Sequence, residues 1–302
     1  MLLGPLFERF VDGSPLSVMA RGTIEFALQP QSLDQLFQQH AEQQYTRELL
    51  FSSLVDVLAL VVCGTHQSVR ASYLATPEEI AVSLTSVYNK LAGVETHVSA
   101  ELVRYTYRQL QPILYQLGAC LPPYVPGYRT RILDGNHLAA TEHRLSETRD
   151  RSAAPLPGQA LVVLDPALML IADVFPCEDG HTQERALLQD VLASVQERDL
   201  WLADRNFCVQ NFLLGIARKA GCFLIREHKG LVWSAAGKLR SCGRIEGARV
   251  YEQRISVTDE NGKRWYFRRV LLHLDKPTRD GESELALLTN LPKEAANARQ
   301  VG

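Results

Sequence analysis

The chain has 302 residues and a mass of 33.8 kDa, with 46% hydrophobic and 22% charged residues. This composition is typical of a globular protein of about two domains and excludes wholesale disorder. A net charge of −2 gives no global attraction to nucleic acid, and the apolar run from Val57 to Cys63 is far shorter than the ~20 residues of a bilayer span. The N-terminus lacks a secretion signal and the cysteines form no CxxC pair, so we expect a cytoplasmic protein with reduced thiols.

The N-terminal region, residues 1–120, is predicted to be helical. Ser32 begins a capping-box pattern that predicts the start of a long helix through Val61. Thr76, directly before a proline, predicts a second start, and Ser99 predicts a third helix that ends at Gly118. A helix, a turn and another helix are also typical of a DNA-binding helix-turn-helix, although most helix pairs are simply packed together. Both interpretations stay open.

Beyond a proline-rich connector at residues 121–127, the pattern changes to short apolar strands alternating with helices. Strands are predicted at residues 131–136, 161–164, 169–172, 200–203 and 222–225. Helices are predicted after Thr182 and after Asp204, and this order indicates an α/β fold. Residues 231–291 are rich in short strands, and an Asn-Gly pair ending at Gly262 predicts a hairpin.

Charge is distributed unevenly along this second part of the chain. Residues 132–225 contain 13 acidic and 8 basic side chains, whereas residues 226–269 contain 11 basic and 5 acidic ones. An acidic segment followed by a basic one suits a metal-holding core beside a phosphate-binding segment, and ordinary fluctuation of charge is the alternative.

Two aspartates are the strongest candidates for chemistry. Asp134 and Asp204 each end an apolar strand, where ligands of α/β sheets gather. Two carboxylates from separate strands suit a hard cation such as Mg²⁺, and a third carboxylate would allow a two-metal site for phosphodiester chemistry. The structural alternatives are an Asp-Gly turn at Asp134 and a helix cap at Asp204.

Two weaker candidates lie nearby. Asp165 is a carboxylate beside the core strands, but an Asp-Pro turn is the more ordinary explanation. Cys177, Asp179 and His181 suggest a small metal site, but no partner pair has zinc spacing.

Six short segments of the sequence together resemble those of a known protein family. They are Leu133-Asp-Gly-Asn-His-Leu138, Leu161-Val-Val-Leu-Asp-Pro166, Phe175-Pro-Cys-Glu-Asp-Gly-His181, Trp201-Leu-Ala-Asp-Arg-Asn-Phe-Cys208, Phe223-Leu-Ile-Arg-Glu-His228 and Leu287-Leu-Thr-Asn-Leu-Pro292. In this order they resemble the DDE transposases of the fourth insertion-sequence family. The resemblance implies a ribonuclease-H-like core over residues 131–228, after the helical N-terminal region 1–120. A β-rich basic insertion over 229–292 and a truncated tail over 293–302 would follow.

The resemblance also implies a function. Such an enzyme cuts and joins phosphodiester bonds at insertion-sequence ends with two Mg²⁺ or Mn²⁺ ions. Asp134 and Asp204 would be catalytic residues and metal ligands. The partners would be double-stranded DNA, both terminal repeats and target, and a second copy in a synaptic complex. The location would be the bacterial cytoplasm, at the nucleoid, with no membrane partner.

The third ligand of the family is a glutamate within a Tyr-Arg-Glu-Lys signature. That spacing begins at Tyr251 and again at Tyr266, but Thr258 and His273 occupy the glutamate positions. In relatives the signature helix follows the Thr-Asn-Leu-Pro segment, so we expect the third carboxylate to lie beyond Gly302 and this chain to be inactive alone. The alternatives are a catalytically inactive DNA-binding remnant and another ribonuclease-H-like nuclease with a different third carboxylate.

Several basic residues are predicted to contact DNA phosphates, with a solvated basic face as the alternative. They are Arg226, Lys229, Lys238, Arg240, Arg244, Arg249 and Arg254. Arg205 and Asn206 are predicted to support Asp204 or to position the cleaved strand. Trp233 or Trp265 would suit stacking on an unpaired base, although a core or hairpin position is the more ordinary role.

Overall fold

The computed structural model describes residues 13–44, 48–75, 80–137, 158–177 and 182–302. The described residues up to Ala119 belong to one compact unit, and those at 120–137 and 159–302 belong to a second. No helix in the described ranges is both long and apolar enough to span a bilayer. The predicted helix start at Thr76 and the candidate ligands Asp179 and His181 lie outside the described residues.

The first unit is helical, as predicted. Its helices are α1 (Pro15–Ala27), α2 (Pro30–His40), α3 (Phe51–Val62), α4 (Val69–Ala75), α5 (Leu84–Gly93) and α6 (Thr96–Gln116). The prediction of one long helix from Ser32 is wrong, because α2 begins with Pro30 in its first turn and ends at His40. The Asp34 carboxylate accepts hydrogen bonds from the backbone and hydroxyl of Ser52, 2.9 Å each, and so fixes the first turn of α3 beside α2.

The helices α5 and α6 form a pair joined by a short turn, as the sequence analysis expected. Only two residues separate α5 from α6, and Ser83 caps α5 by accepting a hydrogen bond from the Ser86 backbone. The helix expected to open at Ser99 begins earlier, at Thr96, and ends just before Gly118, whose left-handed φ of +65° stops it as predicted. Buried side chains from four helices, including Phe37 stacked on Phe51, form the core of this unit.

The second unit is a mixed α/β structure around one large sheet, which confirms the α/β class. Its strands are β1 (Arg129–His137), β2 (Gln159–Asp165), β3 (Leu170–Cys177), β4 (Asp199–Ala203), β5 (Cys222–Arg226), β6 (Ser234–Ala235), β7 (Arg240–Ile245), β8 (Ala248–Thr258), β9 (Arg264–Leu274) and β10 (Glu284–Thr289). The order is β3-β2-β1-β4-β5-β10-β9-β8-β6, with β7 also paired to β8. β1, β4 and β5 are parallel, whereas β2 is antiparallel to both β1 and β3.

The two halves of this unit share the sheet. β10 joins β5 to the β8–β9 hairpin, so the β-rich segment continues the sheet of the preceding strands. The hairpin predicted at Gly262 is present, with a φ of +78° at that glycine. Such an angle favours glycine because it has no Cβ.

Helices cover both faces of the sheet. They are a 3₁₀ helix (Glu184–Leu187), α7 (Leu188–Ser194), a second 3₁₀ helix (Arg205–Phe207), α8 (Gln210–Arg218) and α9 (Ala298–Val301). On the inner face, α7 and α8 bury side chains such as Val191 and Phe212 against the strands. On the outer face, Ala298 and Val301 of α9 pack in a second cluster. Residues 293–302, predicted as a tail, therefore fold against the sheet. Thr182 does not cap the helix as predicted, because Gln183 precedes its first turn.

Candidate functional site

Asp134 and Asp204 occupy matched positions at one edge of the sheet. The last paired residues of the parallel strands β1 and β4 are Leu133 and Ala203, and each aspartate comes next in its strand direction. Leu133 and Ala203 pack into the inner cluster, so the alternation of the strands turns both aspartates to the outer face. Both aspartates are exposed. Because neighbouring strands lie about 4.8 Å apart, carboxylates at matched positions are within reach of one cation.

Each aspartate uses one oxygen to hold the local backbone. Asp134 Oδ1 accepts a hydrogen bond from the Gly135 backbone at 2.9 Å, and Asp204 Oδ1 accepts one from the Asn206 backbone at 2.8 Å. The cap proposed for Asp204 is therefore present, on a 3₁₀ helix. The turn proposed for Asp134 is wrong, because β1 continues to His137. In the described part of the chain, Oδ2 of each aspartate has no hydrogen-bond partner.

Glu184 is a third acidic residue beside these strand ends, and the sequence reasoning missed it. Its Oε2 accepts a hydrogen bond from the side chain of Asn206 at 2.5 Å. Its Oε1 lies against Gly135, where an added Cβ would be only 1.9 Å from that oxygen. Gly135 therefore permits the close approach, and Glu184 contacts the residue that follows Asp134. The acidic first turn after Thr182 was the only sequence signal for this residue.

Arg205 and Asn206 support the site in different ways. Asn206 binds Asp204 through its backbone and Glu184 through its side chain, so it joins two acidic residues. Arg205 donates a hydrogen bond to Glu282 at 3.1 Å, and Glu282 also pairs with Arg226. The half-buried Arg226 guanidinium is therefore already neutralised, which weakens its predicted role as a phosphate contact.

The remaining predicted DNA contacts are exposed but do not form one cluster. They are Lys229, Lys238, Arg240, Arg244, Arg249 and Arg254. Lys238, Arg240 and Arg254 line a single cavity on the β8–β9 hairpin. Arg244 and Arg249 face each other across the β7–β8 pairing, and Arg244 pairs with Asp275 at 2.6 Å.

The aspartate pair fits one Mg²⁺ ion better than two. Mg²⁺ typically takes one or two protein carboxylates and keeps several waters, which Asp134 and Asp204 would satisfy. Within the described ranges, no three His, Cys, Asp or Glu side chains come close enough together to hold a metal ion. A second ion would need another ligand.

No protein-family model matches this sequence, and no curated protein matches it. The arrangement of strands and side chains must therefore carry the functional argument.

Three of the weaker candidates have structural roles. Asp165 is buried and forms an ion pair with Arg131 at 2.6 Å. Trp233 and Trp265 both pack against the inner cluster, and their indole nitrogens donate to Glu227 and Asp259 respectively. The expected core or hairpin position is confirmed for Trp233 and Trp265.

Proposed function

We propose that this chain is a transposase of the DDE type with a ribonuclease-H-like core, acting on double-stranded DNA. One observation carries the proposal: Asp134 and Asp204 lie side by side at the ends of β1 and β4 within the order β3-β2-β1-β4-β5. In the family that the sequence resembles, the first aspartate lies on the first core strand and the second follows the fourth. In this chain Asp134 lies on β1 and Asp204 directly follows β4, which supports the proposal.

At this edge of the sheet, some residues would bind the metal ion and others would orient them. Asp134 and Asp204 would hold Mg²⁺ through the oxygens that their backbone hydrogen bonds leave free. Asn206 keeps Asp204 oriented, and Glu184 holds the side chain of Asn206. When bound, the ion would supply Lewis-acid activation of the attacking oxygen and of the phosphate. The exposure of both aspartates leaves room for a DNA strand to approach.

A direct test is to map the metal site with Fe²⁺ in place of Mg²⁺. Iron held by Asp134 and Asp204 generates hydroxyl radicals locally in the presence of ascorbate and peroxide. We expect backbone cleavage near the ends of β1 and β4, suppressed by excess Mg²⁺ and lost in Asp134→Asn and Asp204→Asn. Asp165→Asn is not a suitable control because Asp165 is buried in an ion pair, so the exposed Asp280→Asn serves instead. Cleavage at random positions, or equal cleavage in all variants, would contradict the metal site.

One observation favours a second candidate, a DNA-binding remnant without catalysis. The described residues supply two matched aspartates but no cluster of three metal-binding side chains. A remnant would bind duplex DNA and fail to nick supercoiled plasmid at any Mg²⁺ or Mn²⁺ concentration. Nicking that depends on Asp204 would exclude it.

A further inference from the structure

The first 3₁₀ helix, Glu184–Leu187, contacts the chain beside both aspartates. On one side, Glu184 lies against Gly135 of β1. On the other side, Glu184 and Arg185 both bind Asn206, in the turn that follows β4. Two consecutive side chains of one short helix therefore join the strands that carry the aspartates.

The side chain of Asn206 is held from two directions. Its Nδ2 donates to Glu184 Oε2 at 2.5 Å, and its Oδ1 accepts a hydrogen bond from Arg185 Nη2 at 3.3 Å. Arg185 Nε also donates to the main-chain carbonyl of Asn206 at 2.9 Å. With its side chain and its carbonyl both held, Asn206 directs its backbone N–H to Oδ1 of Asp204, at 2.8 Å. These contacts therefore determine which oxygen of Asp204 the backbone occupies.

Gly135 permits the same helix to approach β1. A Cβ added at Gly135 would collide with the carboxylate of Glu184, and the φ of Gly135 lies outside the left-handed region. Glycine therefore provides space at this position, as is typical where another group approaches a strand closely. The carboxylate of Glu184 lies between Gly135, directly after Asp134, and Asn206, in the turn at Asp204.

We infer that Glu184 and Arg185 are positioning residues that set the spacing of the Asp134 and Asp204 carboxylates for a metal ion. The inference rests on the proposed function and deepens it. Mg²⁺ requires a nearly ideal octahedron with ligands at about 2.0–2.1 Å, so a small displacement of one carboxylate weakens its binding. Replacing residues that orient metal ligands typically lowers metal affinity by about 10–100-fold.

The charge of Arg185 would act on a metal ion in the opposite direction. Arg185 is exposed, and a guanidinium near a cation site repels the ion. By charge alone, its removal would strengthen metal binding. The loss of a positioning contact weakens metal binding instead. The direction of the change in Arg185→Gln therefore distinguishes a positioning role from a purely electrostatic one.

The test measures the Fe²⁺ concentration that gives half-maximal directed cleavage. Arg185→Gln removes the contacts to Asn206, and Gly135→Ala displaces the Glu184 carboxylate without removing a charge. Arg218→Gln is the control, because Arg218 also makes two side-chain contacts, but at the turn of the β8–β9 hairpin. We expect the concentration to rise about tenfold in the first two variants and to keep the wild-type value in the control. A value within about threefold of the wild type in either of the first two would overturn the inference.

Urea unfolding in EDTA tests whether the contacts act through stability instead. We expect the wild-type midpoint in both variants, because Arg185 is exposed and glycine is itself unfavourable within a strand such as β1. A clearly lower midpoint in both variants would assign the contacts to stability and overturn the positioning role.

Hydrogen exchange in EDTA separates this inference from the proposed function. The peptide that contains Asn206 should exchange faster in Arg185→Gln and Gly135→Ala than in the wild type, because its amide is no longer held on Asp204. Unchanged exchange would overturn the inference. Faster exchange in both variants, together with no directed cleavage of the wild type by Fe²⁺, would reject the proposed function and keep these contacts as the ones that orient Asp204.

Discussion

Asp204 combines a structural and a chemical role in one side chain. Its Oδ1 caps the 3₁₀ helix that begins at Arg205, and its Oδ2 has no hydrogen-bond partner among the described residues. The sequence reasoning treated cap and ligand as alternatives. The structure shows that the cap occupies only one oxygen, so a cap does not exclude a ligand.

Substitution at Asp204 should separate these roles. Asparagine is as good a cap as aspartate, so Asp204→Asn should change the free energy of unfolding by less than about 0.5 kcal/mol. Asp204→Ala should lose about 0.5–2 kcal/mol, because the cap is removed. Both variants should lose Fe²⁺-directed cleavage, because neither retains the carboxylate. Urea unfolding measures the first effect and peptide mapping the second. Equal destabilisation by both substitutions would show that the charge, and not the cap, stabilises this turn.

At the scale of elements, the strands were easier to predict than the helix ends. Short apolar runs bounded by turns predicted β2, β4 and β5, and β4 and β5 bury side chains in the clusters on both faces of the sheet. The break between α2 and α3 was missed, because Asp34 binds Ser52 across the intervening turn. Glu184 was missed for the same reason, since only tertiary packing places it against Gly135. The local sequence pattern therefore predicted the strands and the candidate aspartates, but not the tertiary contacts that Asp34 and Glu184 make.

Asp259, in the turn of the β8–β9 hairpin, should make the free energy of unfolding fall as the pH is lowered into the acid range. A hydrogen bond from the indole of Trp265 is the largest influence that lowers the pKa of Asp259 to about 2, and the Lys263 backbone and Arg218 act in the same direction. A carboxylate with a depressed pKa stabilises the folded state above its unfolded pKa, near 4, and loses that effect as the pH falls toward 2. Asp259→Asn should therefore lose less stability than the wild type between pH 5 and pH 2.5. Urea unfolding at each pH tests this, and parallel curves would contradict it.

At the scale of the whole molecule, the two units have separate hydrophobic cores. Among the described residues, the clusters of the second unit contain none from before Val125. Among the described residues, the cluster of the first unit draws only on side chains between Leu28 and Tyr105. Separate cores of this kind are typical of regions that can fold independently.

A fragment of residues 120–302 should therefore unfold cooperatively on its own. The buried thiols of Cys208 and Cys222 show whether the fragment is folded, because burial in the folded state raises the pKa of each to about 11. Thiols with so high a pKa form little thiolate at pH 8 and should react with a disulfide reagent far more slowly than in urea. Mass spectrometry identifies the labelled residues. Rapid labelling of both in native buffer would show that the sheet needs the helical unit.

The intact chain, 1–302, should nick DNA slowly if at all. Asp134 and Asp204 give a hard cation two carboxylates, and the described residues bring no third metal-binding side chain into a cluster with them. Each ~1.4 kcal/mol of lost metal stabilisation costs tenfold in rate, and a missing metal role is worth several kcal/mol. The assay measures nicking of supercoiled plasmid in the presence of Mg²⁺ or Mn²⁺, and Asp204→Asn is the control for contaminating nuclease. Rapid nicking that depends on Asp204 would mean that this chain contains its own third ligand. Glu184 is then the first residue to test, because it already contacts Asn206 and lies against Gly135. In that case Glu184→Gln should reduce nicking as far as Asp204→Asn does.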